Sequence, residues 1–306
     1  MQKITYEKIS DKFLDGGISI SPEDDFSSIN IDKNEIIKLF EKNGAILFRD
    51  FDFSPQNILE FTNSFTEKYS RDADRRNTRF DKKNIRDVDL GTDAHTLHSE
   101  GSYSPVSPEI IWFYCNIPPK EGGETILCDG MKLWNQLSTS TKAFFLAEPL
   151  LFDIEIETGA IRKGKDNQPW ISNTPGSSGH INWKKGVLKF TQLQYAVRKT
   201  RFGNSLAFSN HLLAELGKDN QIKNKHMMTA SRKKIPLKIM NEIKEKSELL
   251  TYNHCWKTRD LVMVDNVRFM HGRRSFKKGI KRDIVIIQTE RASFAYGQTS
   301  RKIIEN

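Results

Sequence analysis

The sequence predicts a mainly β domain with flanking helices, an α+β arrangement in which late strands complete a core that early strands begin. Three observations predict it. Short apolar runs rich in β-branched and aromatic residues recur in GAILFRDF, IIWFYCNI, LVMVDN, RFMHGRR and RDIVIIQTE, each of strand length and bounded by glycine, proline or polar clusters. Helical periodicity is confined to a few segments between them. No internal repeat or clean linker divides the 306 residues, so the chain reads as one domain, 1–306, with an insertion or lid around 155–235.

The elements follow in order. Residues 33–43 (KNEIIKLFEKN) carry Ile36, Ile37, Leu39 and Phe40 at helical spacing, and Gly44 stops the helix. GAILFRDF then reads as a short buried strand. Ser54-Pro55 has the form of an N-cap with proline in the first turn, opening a helix through ILEFTNSFTEKY. Ser70 to Asp89 is crowded with charged and amide residues and reads as an exposed loop that can cover a site. IIWFYCNI is expected to be a strand buried on both faces, ended by Pro118-Pro119. KEGGETILCDG reads as a glycine turn into another strand, and MKLWNQLSTSTKAFFLAEP as helical. Gly159 to Gly186 reads as a long excursion. Residues 235–249 form a proline-started amphipathic helix with Ile239, Ile243 and Leu249 among its apolar positions. The last three runs read as successive strands, the final two joined as a hairpin through SFKKGIK.

Composition narrows the function. Hydrophobic residues at 37% and charged residues at 28% suit a soluble globular protein with a sizeable core. No stretch approaches the roughly 20 apolar residues of a membrane span, and MQKITYEKIS lacks a secretory h-region; a cytoplasmic protein is expected. Cys115, Cys128 and Cys255 are too few and too widely spaced for a disulfide framework and read as free thiols. The net charge of +9 fits an anionic small molecule, an acidic partner or nucleic acid. Its basic residues are dispersed, with short runs such as Arg232-Lys233-Lys234, which disfavours a nucleic-acid groove.

The chemistry is concentrated in LHSEGS. If a strand carries it, His98 and Glu100, two apart, send an imidazole and a carboxylate to one face. A second imidazole completes the set of two histidines and one carboxylate that leaves open positions on Fe(II). His271, after LVMVDNVRFM and before Gly272, is the leading third ligand; His254 is a rival, and His180, His211 and His226 are weaker ones. Eleven residues after His271, Arg282 opens RDIVIIQ, and its planar fork suits the distal carboxylate of 2-oxoglutarate. In isolation, H-x-E is weak and Arg282 would be a surface salt-bridge residue.

Taken together, HSEGSYSPVSPEIIWFYCNIPPKEGGET, then DNVRFMHGRRSF and KRDIVI, with GAILFRDF before them, resemble the TauD/TfdA family of Fe(II)/2-oxoglutarate-dependent dioxygenases. The resemblance runs from about Gly44 to Gln288 and is weakest from Glu148 to Trp256. It implies a double-stranded β-helix, or jelly roll, with the metal triad in one open mouth. It assigns His98, Glu100 and His271 to the metal, and Thr125 and Arg282 to 2-oxoglutarate, with Lys281 the neighbouring alternative to Arg282. Many members have aspartate at the position of Glu100; H-x-E is similar to the clavaminate-synthase-like branch. A retained carboxylate implies hydroxylation or another oxidation over halogenation.

The implied reaction couples O2 and 2-oxoglutarate to oxidation of an unactivated C–H bond. The expected substrate is an amino acid or a small molecule derived from one, free or tethered to a carrier protein in a natural-product pathway. A small anionic acid such as a sulfonate is the alternative. Arg86, His95, Tyr103, Arg198 and Arg201 are the candidate substrate contacts, each with an ordinary packing or surface role as its competitor. A zinc hydrolase would not need Thr125 and Arg282; a nucleic-acid or protein demethylase and a catalytically silent binding protein on the same fold are the other classes weighed. No membrane contact is expected, and homo-oligomerisation is left open.

Overall fold

The apolar runs do become strands, and the computed structural model describes them over residues 3–24, 27–70, 76–88, 91–104, 107–157, 168–170, 178–182, 186–200, 205–215 and 227–294. The first part of the chain contains β1 (Ile4–Lys8), β2 (Ile18–Pro22), α1 (Lys33–Asn43), β3 (Ala45–Phe48), α2 (Ile58–Asn63), β4 (Thr66–Tyr69), β5 (Thr78–Arg79), β6 (Lys82–Asp87) and β7 (His95–His98). The middle contains β8 (Ile110–Ile117), β9 (Thr125–Asp129), α3 (Gly130–Gln136), α4 (Thr139–Ala147), β10 (Leu150–Glu157), β11 (Gln168–Trp170), β12 (Ser178–Asn182), β13 (Val187–Gln194), β14 (Val197–Lys199), β15 (Leu206–Phe208) and β16 (Met227–Thr229). The last part contains α5 (Leu237–Leu249), β17 (Tyr252–His254), β18 (Leu261–Asp265), β19 (Phe269–Arg273) and β20 (Asp283–Ala292).

Two sheets face one another. The larger runs β1-β2-β3-β18-β8-β20-β6-β5 with β4 also on β20, and the smaller runs β17-β9-β19-β7. Strand alternation explains the layers. In β8, Ile111, Phe113 and Cys115 point between the sheets with Leu47, Val262, Val264, Ile284 and Ile286, where they meet Leu127 and Phe269 of the smaller sheet. The intervening Ile110, Trp112 and Tyr114 pack outward with Ile36, Phe40 and Ile58 of α1 and α2. The outer face of the smaller sheet, with Leu97, Ile126, Cys128 and Met270, is covered by Leu133, Phe145, Met240 and Ile243 of α3, α4 and α5. The expected mainly β, helix-flanked jelly roll is therefore observed, and β8 is buried on both faces because each face has its own cover.

Local signals hold where they meet backbone needs. Asp32 caps α1 by accepting from the Asn34 and Glu35 amides, and Gly44 ends it at φ 67°, a conformation suited to glycine. Other expectations fail for identifiable reasons. The helix expected through ILEFTNSFTEKY stops at Asn63, where the Ser64 and Thr66 hydroxyls donate to the Phe61 and Thr62 carbonyls; the remaining TEKY joins β20 as β4. The supposed loop from Ser70 to Asp89 contains β5 and β6, and β6 pairs with β20. The single helical stretch after Asp129 is two helices, broken where Ser138 caps α4 through the Thr141 amide. Leu249 of α5 is 60% exposed and does not join the core.

The hairpin expected between the last two strands is absent: β19 lies in the smaller sheet and β20 in the larger, so the loop between them crosses the sandwich. Within the excursion of Gly159 to Gly186, β11 and β12 extend a five-stranded sheet, β11-β12-β13-β10-β16; its remaining stretches, 159–167, 171–177 and 183–185, lie outside the described residues. No described helix is long and apolar enough to cross a membrane.

Candidate metal centre

On β19, Phe269, His271 and Arg273 alternate with Met270 and Gly272, so the first three face between the sheets. His271 pairs in register with His98 of β7 on one side and with Leu127 of β9 on the other. The ladder then slips: Arg273 pairs with His95, so two residues of β19 span three of β7. This bulge turns both His95 and His98 toward the same cavity although they are three apart. Gly272 permits it, because a Cβ there would sit 2.4 Å from the His95 carbonyl oxygen.

His98, Glu100 and His271 have ligand atoms all within 4.8 Å of one another. Glu100 Oε2 lies 3.5 Å from His271 Nε2 and 3.9 Å from His98 Nε2. Donors cis on an octahedral ion with bonds of about 2.1 Å are about 3 Å apart, so the trio closes on an ion with small side-chain shifts. His98 Nδ1 lies 2.8 Å from the Thr96 carbonyl oxygen. A carbonyl only accepts, so Nδ1 carries the proton and Nε2 keeps its lone pair for the centre.

Strand alternation does not place Glu100, contrary to expectation, since β7 ends at His98. Asn266, in the turn between β18 and β19, does so instead. Its Oδ1 accepts from the Glu100 amide at 2.8 Å, and its Nδ2 donates to the Glu100 and Pro108 carbonyls at 2.9 and 2.8 Å. Burial by itself would raise the Glu100 pKa, but the His271 hydrogen bond and the Arg76 charge hold it well below the usual carboxylate range. Burial, with His98 nearby, lowers His271 to about 4. A carboxylate and two imidazoles are the donor set that a divalent cation takes.

A cavity opens beside the trio. Arg76, His95, Phe113, Thr125, Arg273, Arg282 and Ile286 line it. Arg282 Nε donates to the Gly123 carbonyl at 2.7 Å and Nη2 to Thr125 Oγ1 at 3.2 Å. Trp256 Nε1 donates to the same hydroxyl at 3.1 Å. Burial, then the neighbouring Arg273, lowers Arg282 to about 10, still a cation at neutral pH. Lys281 is exposed and does not line the cavity.

Of the substrate candidates among the described residues, only His95 lines this cavity. Arg86 is buried and donates to the Arg76 carbonyl at 3.0 Å, fixing the segment behind the wall. Arg198 is buried too; it donates to Ser99 Oγ and the Asn266 carbonyl at 2.6 and 2.8 Å, so it braces the Glu100 turn and does not wait at the mouth. Tyr103 packs on the smaller-sheet core with its ring 4.8 Å from that of His211. Arg201 lies outside the described residues, as does His226. Among the rival ligands, His211 stacks edge-on against His98 at 5.2 Å but stands outside the trio, and burial lowers it to about 3. His254 is buried between Tyr252 and Asp260, and the backbone of His180 lies in β12. Arg76, Asn266, Trp256 and Arg273 were not singled out from sequence. Arg273 could have been, from its period-two relation to His271; for Arg76 and Asn266 no local pattern exists.

A jelly roll with two imidazoles, one carboxylate and a cationic cavity beside them defines a non-haem iron oxygenase. The chain belongs to the taurine catabolism dioxygenase TauD, TfdA family, whose model matches residues 10–287. It is an Fe(II)/2-oxoglutarate-dependent dioxygenase with O2 as co-substrate, which displaces the zinc-hydrolase alternative. The dapdiamide synthesis protein DdaC of Enterobacter agglomerans is 24% identical over 286 residues, covering 79% of this chain and 81% of that protein. The structure of AAD-2 with Mn(II) and N-oxalylglycine is similar with a TM-score of 0.59 at 18% identity, covering 95% of this chain and 97% of that one. PvcB of Pseudomonas aeruginosa is similar with a TM-score of 0.62 at 11% identity, covering 98% and 94%; at these identities the structures attest to the fold.

Proposed function

We propose that this dioxygenase hydroxylates an unactivated C–H bond of an amino acid, or of a small molecule derived from one, in a natural-product pathway. The substrate is taken either free or on a carrier protein. The observation that carries the hydroxylase reading is Glu100: its carboxylate stands with His98 and His271 in one cluster, leaving no protein-side gap in the donor set for a halide. The pathway reading draws on the similarity to DdaC, a dapdiamide synthesis protein, and to PvcB, an oxygenase from an isonitrile synthetic pathway. A cytoplasmic setting fits the three free cysteines.

In this reading His98 Nε2, Glu100 Oε2 and His271 Nε2 hold the iron, and Thr125 and Arg282 hold the distal carboxylate of 2-oxoglutarate. Bound Fe(II) supplies the redox centre at which 2-oxoglutarate gives succinate and carbon dioxide. Thr125 Oγ1 accepts from both Trp256 and Arg282, so its own hydrogen is directed elsewhere and can be donated to a carboxylate. Phe113 and Ile286 give the cavity an apolar wall, which limits water beside the oxidant and strengthens each charge interaction.

The test is succinate formation coupled to O2 consumption, measured for the iron-loaded protein across free amino acids, their acyl derivatives and carrier-bound aminoacyl thioesters. The expected outcome is stoichiometric succinate and a product heavier by one oxygen. Release of a hydrolysed product without succinate would refute the oxygenase reading.

A further inference from the structure

Trp256 does not line the cavity, yet its Nε1 donates to Thr125 Oγ1 at 3.1 Å. A threonine hydroxyl has two lone pairs and one hydrogen. Arg282 Nη2, at 3.2 Å, takes one lone pair and Trp256 takes the other. Without the indole the hydroxyl keeps a vacant lone pair and turns about its C–O bond, which spreads its hydrogen over several directions. We propose that Trp256 is a positioning residue for 2-oxoglutarate: its N–H aims the Thr125 hydrogen at the distal carboxylate, and a buried ion pair, Arg49 with Asp260, holds the indole in place. This rests on the reading above in which Thr125 and Arg282 hold that carboxylate.

The chain is pinned on both sides of Trp256. Arg49, which follows β3, donates Nε to Asp260 Oδ1 at 3.0 Å and Nη2 to Oδ2 at 2.6 Å. The same Nη2 reaches the Cys255 carbonyl at 2.9 Å, and Asp260 Oδ2 accepts from the Lys257 amide at 2.8 Å. One ion pair therefore fixes the backbone of the residue before Trp256 and of the residue after it. Asp260 is 1% exposed, a depth at which a carboxylate is tolerated only with its charge matched and its oxygens hydrogen-bonded.

His254 supports the indole from a third direction. It pairs in register with Thr125 across β17 and β9, its ring meets that of Trp256 edge-on at 4.2 Å, and its Nε2 lies 3.5 Å from Asp260 Oδ2. The carboxylate that pins the loop thus stands beside the histidine on which the indole rests. The ladder sets the backbone of Thr125, and Trp256 sets the direction of its hydroxyl. A donor aimed in this way strengthens binding of an oxo-acid that ends in a carboxylate and does nothing for one that ends in a methyl group.

The experiment uses the full chain loaded with Mn(II) without oxygen. Calorimetry measures the binding of 2-oxoglutarate and of 2-oxopentanoate, which has the same chelating end and a methyl group where the distal carboxylate stands. The proteins are the wild type, Trp256→Phe, Thr125→Val, the double variant and Arg49→Lys. Trp256→Phe is expected to weaken 2-oxoglutarate about 3- to 10-fold, as for one lost hydrogen bond, and to leave 2-oxopentanoate within about twofold. In the Thr125→Val background the same change should cost less than about twofold, because no hydroxyl remains to be aimed. Arg49→Lys keeps the charge and loses the planar fork, so it should show part of the Trp256→Phe loss.

The proposal is overturned if Trp256→Phe binds 2-oxoglutarate as the wild type does, if it weakens both oxo-acids alike, or if its loss is undiminished beside Thr125→Val; the last two outcomes would make the indole a packing residue. Wild-type affinity in Arg49→Lys overturns the role of the ion pair, and this variant keeps the indole, so it tests the arrangement even where Trp256→Phe does not fold. The underlying reading of Thr125 fails separately, if Thr125→Val alone leaves 2-oxoglutarate binding unchanged.

Discussion

The Thr125 hydroxyl shows how little of a residue's role its identity carries. In sequence it is a strand-forming residue in GGET; in the fold it is a junction between Trp256 and Arg282. Two donors to one oxygen leave the hydroxyl as a donor toward the cavity. Thr125→Val is therefore expected to raise the dissociation constant for 2-oxoglutarate about tenfold, as for one lost hydrogen bond to a charged group, while Thr125→Ser keeps most of the affinity; calorimetry with Mn(II)-loaded protein checks it. Asn266 acts at one remove from the metal by holding both backbone polar groups of Glu100. Asn266→Ala should weaken Mn(II) binding roughly 10- to 100-fold, the usual cost of losing a partner behind a ligand, and an unchanged Mn(II) titration would refute that role. His98, Glu100 and His271 were legible because their spacing and flanking blocks are distinctive. Asn266 was not, because an asparagine in a turn has many ordinary uses and the partners of its side chain are 158 to 167 residues away.

At the level of elements, the bulge between β7 and β19 does what simple alternation cannot. It brings His95 and His98 to one side and requires the two backbones to approach at Gly272, where an added Cβ would meet the His95 oxygen and the Thr96 backbone. Gly272→Ala cannot be relieved by side-chain rotation. It should lower the melting temperature and loosen Mn(II) binding together, both readable on one purified sample. A second element-level joint is the Asp129–Arg268 pair, 0% and 1% exposed. Arg268 reaches Asp129 Oδ2 at 2.8 Å and the Leu14 and Lys42 carbonyls at 2.6 and 3.0 Å. Asp129 also accepts from the Leu14 and Met131 amides. The pair ties the N-terminal segment and the end of α1 to the start of α3. Arg268→Met leaves Asp129 buried without its cation, at a cost of about 3–5 kcal/mol, which urea unfolding would report.

Across the whole molecule, buried neutral histidines make the metal-free protein sensitive to acid. His271 and His211 are lowered to about 4 and about 3 from an ordinary value near 6.5. Between 6.5 and those values the unfolded chain binds protons that the native chain refuses, so stability rises with pH and is lost as pH falls from about 6.5 through 4. Thermal unfolding of metal-free protein from pH 7 to 4 should show this loss, with a shallower slope in His211→Gln. By itself the sequence determined the strand-rich class, the helix α1 with its cap, the strands that carry His271 and follow Arg282, and the family to which the trio belongs. These rest on short-range chemistry: alternation, capping, glycine turns and closely spaced blocks. Only the tertiary structure decided that β19 and β20 lie in opposite sheets, that β6 is a strand on β20 and not part of a loop, that Arg198 braces a turn, and that Arg76 faces the metal ligands. Each depends on which distant strands pair, and pairing is decided by burial of both sheet faces across the whole chain, which no local pattern encodes.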